Sequence, residues 1–125
     1  MKIYFRGLLF LPFFFFGCVK NTLIESDEPL ICTEQFVTIS LEIKGKTPTD
    51  YYTIRSKTGD TLRLDFVYEN YYPIVNDNLV KDMKRNQIET FVFVGIRPEK
   101  SIRELFKIKS DGCHVLKISG IESID

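Results

Sequence analysis

No alanine occurs anywhere in the 125 residues, and tryptophan is absent as well. The best helix former is therefore missing. The apolar positions are filled by Val, Ile, Leu, Phe and Tyr, the β-branched and aromatic types that fit a pleated, half-buried surface. An all-β or nearly all-β fold is the leading class.

The missing alanine also bears on the N-terminus. Lys2 and Arg6 precede an apolar run over residues 8–16, the order of a secretory signal, and the run falls short of the roughly 20 residues that span a bilayer. An ordinary A-x-A cleavage site cannot be present. What closes the run is Phe15-Phe16-Gly17-Cys18, which resembles a lipobox, with Phe15 standing where leucine is more usual. The expectation is that residues 1–17 are a lipoprotein signal peptide and that Cys18 is acylated and becomes the mature N-terminus. The partner at this end is then the membrane, through a lipid anchor, and the location is the bacterial cell envelope as an outer membrane lipoprotein. The alternative, an uncleaved hydrophobic tail, leaves Cys18 an ordinary thiol. Residues 18–31 are polar and aperiodic and read as a flexible tether reaching a few tens of ångströms at most. Residues 32–125 are the folded domain.

The 17 basic and 17 acidic residues lose Lys2 and Arg6 with the signal, leaving 15 against 17, a net of −2. Neither nucleic acid nor an anionic membrane surface is recommended as a partner by this balance, since both call for a concentrated basic patch.

Residues 35–43 alternate, with Val37, Ile39, Leu41 and Ile43 on one face, the period of a half-buried strand. Residues 51–56 and 61–68 predict a hairpin around Lys57-Thr58-Gly59-Asp60. Pro73 restricts residues 71–78 to an edge strand or broad turn. Residues 79–86 predict a loop with a turn of helix capped by Asp77 or Asn78, and 88–96 a strand covered on both faces.

Asp111-Gly112 is the strongest short turn signal in the chain. A two-residue loop there would pair Ser110 with Cys113, Ile108 with Val115 and Phe106 with Lys117. These pairs share one sheet face, which carries Phe106, Ile108 and Val115 and is the expected core face, so Cys113 would point inward and His114 would point to solvent. With Cys18 set aside, Cys32 and Cys113 are an even pair in an oxidising compartment, and a disulfide is expected. Free buried thiols are the alternative. Cys113-His114 resembles a nucleophile beside a base, but strand neighbours face opposite ways, so the adjacency argues against a dyad. No catalytic residue is expected.

His114 is the only histidine and no CxxC or HxxxH spacing occurs, so no metal or cofactor is expected. Asn76-Asp77-Asn78 with Asp82 lacks the spacing, glycine and terminal glutamate of a calcium loop and reads as a turn. Tyr68, Tyr71 and Tyr72, with Phe66 and Pro73, form the densest aromatic group outside the signal. They are a candidate binding surface for a protein or glycan, because each tyrosine ring offers flat apolar area and a hydroxyl. Filling the core is the competing use.

Cys32-Thr33-Glu34-Gln35-Phe36, Ser56-Lys57-Thr58-Gly59-Asp60-Thr61, Tyr72-Pro73-Ile74-Val75-Asn76-Asp77-Asn78 and the stretch from Asp111 through Cys113-His114 to Gly120 resemble a group of uncharacterised Bacteroidota lipoproteins. Their domain is similar to the transthyretin-like, or carboxypeptidase regulatory-like, β-sandwich. The resemblance implies a small antiparallel sandwich of about seven strands, transthyretin-like or immunoglobulin-like, with a non-catalytic binding or structural role. Two other readings stand beside it: an inhibitor or immunity-type periplasmic lipoprotein, and a thiol or redox enzyme using Cys32, Cys113 and His114.

Overall fold

The alternating stretch near the start forms β1, Thr38–Ile43, and turns Ile39, Leu41 and Ile43 inward as its period requires. The computed structural model describes residues 30–125. The expected signal peptide, Cys18 and most of the tether lie outside the described residues.

Seven further strands follow: β2 Asp50–Arg55, β3 Thr61–Leu62, β4 Tyr71–Asn76, β5 Glu89–Ile96, β6 Ile102–Ser110, β7 Val115–Ser119 and β8 Ser123–Ile124. A 3-10 turn, Asp77–Asp82, connects β4 to the segment before β5. The strands make two sheets, one ordered β4-β1-β8 and one ordered β3-β2-β5-β6-β7, antiparallel except for β1 with β8. The chain is an all-β sandwich. Ile39, Leu41, Tyr72, Ile74 and Val75 of the small sheet pack on Phe91, Phe93, Phe106, Ile108 and Val115 of the large one. At about 25 cal/mol per Å² of apolar surface, this interleaved layer is the main favourable term in folding.

β5 is covered on both sides, with Phe91 and Phe93 in the core and Val92 and Val94 buried under neighbours on the outer side. At one end of the inner face Arg55 and Glu89 form a buried ion pair. Arg55 Nε lies 2.7 Å and Nη2 2.9 Å from the two Glu89 oxygens, and Nη2 also donates to the Asp82 carbonyl at 2.9 Å. The hydrogen bond to Glu89 outweighs burial and raises the Arg55 pKa further.

Three local expectations are corrected. The strand expected over 61–68 is only Thr61–Leu62, because the chain then leaves the sheet: the Tyr51 hydroxyl donates to the Leu64 carbonyl, and Val67 packs on the core. The Gly59 turn itself holds, with φ of 74°. The N-cap of the short helix is Asn76, one residue earlier than expected, and its side chain accepts the Asn78 N–H at 3.0 Å.

The largest correction is at the last hairpin. The loop has four residues, and the pairs are Ser110 with Val115, Lys109 with Leu116 and Ile108 with Lys117. Asp111 is the cause. Its Oδ1 accepts the N–H groups of both Cys113 and His114 at 2.8 Å, and its own N–H reaches the His114 carbonyl, so the side chain builds a wider turn than Asp-Gly alone would make. Cys113 and His114 are thereby released from strand alternation.

Candidate functional site

The outward side of the small sheet carries the aromatic group. β1 pairs with β4 as Leu41 with Tyr72, Glu42 with Tyr71, Ser40 with Pro73 and Thr38 with Asn76. Because Leu41 is core, alternation sends Tyr72 inward and Tyr71 and Pro73 outward, and a β-bulge at Ile74, opposite the Ile39–Ser40 step, resets the register so that Val75 also turns inward and Asn76 outward. Tyr72 is 6% exposed and stands edge-on to the Tyr51 ring with centroids 5.2 Å apart, so it belongs to the core and is removed from the expected binding surface. Tyr71 and Tyr68 are exposed and bridge one another across a tight turn.

Phe36 and Phe66, the latter 77% exposed, extend this surface along the sheet. The segment that abandons β3 lies beside β4, and between them runs a groove of about 380 Å³ lined by Phe36, Thr38, Asp65, Phe66, Pro73 and Asn76. Phe36 was not singled out by sequence reasoning. Its position two residues before β1, on the face opposite Val37, was the available signal.

The second constellation lies at the Asp111–His114 loop. Cys32 and Cys113 are joined in a disulfide, with Cα atoms 5.3 Å apart. Thr33 Oγ1 is 2.8 Å from His114 Nε2, and His114 Nδ1 is 2.6 Å from Asp77 Oδ2. Asp77 also accepts the Val37 N–H at 2.8 Å on Oδ2 and the Val115 N–H at 2.9 Å on Oδ1. One carboxylate thus joins the entry of β1, the entry of β7 and the imidazole, tying the two sheets at one end. The expectation of a solvated His114 is corrected: its side chain is 17% exposed and held on both ring nitrogens. Neither Thr33 nor the tying role of Asp77 was read from sequence; the run Asn76-Asp77-Asn78 signalled only a turn.

Burial pushes the Asp77 carboxyl upward, but the hydrogen bonds from His114, Val37 and Val115 outweigh it and hold the pKa below the usual carboxylate range. Asp111 is lowered by the His114 and Cys113 amides.

Thr33, His114 and Asp77 stand in the hydroxyl, imidazole, carboxylate order used in acyl transfer. That chemistry also asks for free donors aimed at a developing oxyanion. Here the N–H groups of Gly112, Cys113, His114 and Val115 each already donate to a side-chain oxygen. In this geometry the line also straps residues 32–33 to the hairpin, by one covalent and one hydrogen bond. No protein-family model, no curated protein and no solved structure matches the chain.

Proposed function

We propose that the chain is a lipid-anchored module of the bacterial envelope, held at the membrane through Cys18, that recognises a protein or glycan partner without catalysing a reaction. The observation that carries this reading is the exposure of Phe36, Phe66, Tyr68 and Tyr71 along one sheet face and its bordering segment. Large rings left in water, beside a groove with polar lining, are the composition of recognition surfaces, where a few aromatic anchors supply most of the affinity. Thr38 and Asp65 add polar groups with no side-chain hydrogen bond among the described residues, so both are available to a ligand.

Two variants test the reading. Cys18→Ser should move the protein from the membrane fraction to the soluble fraction with its melting temperature unchanged; wild-type protein found soluble would sink the anchor. Phe36→Ala with Phe66→Ala should abolish partner binding while leaving the fold intact. The same face suits an inhibitor or immunity-type lipoprotein, distinguished by tight one-to-one stoichiometry with a single protein.

A further inference from the structure

We propose that the outer face of the large sheet docks on an anionic bilayer surface, so that the domain lies against the membrane and turns its aromatic face away from it. The chain's charges nearly cancel, but the sheet register segregates them. Phe106 and Ile108 are fully buried in the core, so alternation along β6 sends Arg103, Leu105, Lys107 and Lys109 to the opposite side. Across the ladder, Arg103 faces Val94, Leu105 faces Val92, Lys107 faces Thr90 and Lys109 faces Leu116. None of these neighbours is acidic.

Among the described residues the strands place one carboxylate on this face, Asp50, and it is already paired with Arg63 at 3.1 Å. Arg63 also lies over the Tyr52 ring, 5.2 Å from its centroid. Among the described residues Arg103, Lys107 and Lys109 enter no ion pair. Three cations with no ion-pair partner among the described residues therefore run along one strand over roughly 20 Å, at about 3.4 Å per residue.

Two aliphatic side chains stand among them. Leu105 is 63% and Leu116 39% exposed. Cations alone would suit any polyanion, but cations interleaved with exposed leucines match the headgroup zone of a bilayer, where apolar side chains enter the acyl boundary and lysines meet lipid phosphates. The chain's path fits as well. β6 ends at Ser110, and the next loop holds Cys113, bonded to Cys32. Cys32, which follows the expected anchor in the sequence, is therefore held near the end of the basic strand. The docking face and the aromatic face belong to different sheets of the sandwich, so both can be occupied at once.

The test uses the mature chain, residues 18–125, carrying Cys18→Ser, so that vesicle binding reports the face and not the anchor. Sedimentation with phosphatidylglycerol vesicles is compared with phosphatidylcholine vesicles. Binding is expected to the first alone and to fall with added salt. Each of Arg103→Gln, Lys107→Gln and Lys109→Gln should weaken it about fivefold, and the triple variant about a hundredfold. Leu105→Ser should weaken it with the charges intact. Equal binding to both vesicle types, wild-type binding by the triple variant, or duplex DNA bound as tightly as the anionic vesicles would each overturn the proposal. Loss of Cys18-dependent fractionation would count against the anchor alone and leave this face standing.

Discussion

Asp77 Oδ2 lies 2.6 Å from His114 Nδ1, and the same carboxylate accepts the Val37 and Val115 amides. A single side chain on the connection after β4 thus holds three otherwise separate segments. Asn in its place offers one acceptor oxygen in place of two and no charge. Asp77→Asn is expected to cost about 2–4 kcal/mol, since hydrogen bonds to charged groups contribute about 1.5–3 kcal/mol each and buried donors would be left unpaired. Asp82→Asn, an exposed change on the same turn, should stay within about 0.5 kcal/mol. Urea unfolding of the two variants checks the contrast.

Asp77 and Asp111, whose pKa values are lowered by the hydrogen bonds they accept, should contribute to the acid limb of stability. Both folded values lie below the unfolded value of about 3.9. Their contribution is therefore fully present above the unfolded pKa and is lost as pH falls through the folded pKa. Unfolding midpoints should lose this contribution below about pH 4. Asp77→Asn should flatten that decline, and an unchanged acid limb in the variant would remove Asp77 from the explanation.

Removing the disulfide by Cys32→Ser with Cys113→Ser should cost about 4 kcal/mol, the chain-entropy expectation for a loop of this length. The sequence separation it closes is 81 residues. Because Thr33 is fastened to His114 beside the bond, limited proteolysis near residue 33 should accelerate as well. In the wild-type protein no thiol from this pair should react with a thiol reagent before reduction.

The Arg55–Glu89 pair makes a different prediction. Arg55→Met alone strands a buried carboxylate and should destabilise by about 3–5 kcal/mol. Adding Glu89→Leu should recover most of that loss, because well-packed apolar replacements of a buried pair are often neutral. The recovery should be incomplete, since the Asp82 carbonyl still loses its donor. A double-mutant cycle in guanidinium measures both terms.

Period-2 patterning makes β1 legible in the sequence, because one of its faces must be apolar, and a nearly continuous apolar run makes β5 legible, because both of its faces are covered. The disulfide was legible too, since setting Cys18 aside leaves one pair. Three aromatic residues in one stretch suggest a single surface, but alternation against Leu41 separates Tyr72 from Tyr71 and turns it into the core. Strand neighbours point apart, but Cys113 and His114 lie in a loop, which is longer than Asp-Gly implies because the Asp111 side chain accepts two amides within it. Long-range partners such as Thr33 and Asp77 for His114 leave no local signature. The basic row on β6 was hidden by net charge, although the assignment of Phe106 and Ile108 to the core already implied where Lys107 and Lys109 must face.

The central claim is that the exposed aromatic face meets a partner in the envelope. The most direct measurement replaces Phe66 with a photoactivatable phenylalanine analogue in the full chain and irradiates intact cells. A discrete adduct is expected, one that disappears when Phe36→Ala and Tyr71→Ala are added and that is not formed from the same probe placed at Glu99 in the loop between β5 and β6. No adduct from position 66, or the same adduct from position 99, would contradict the claim.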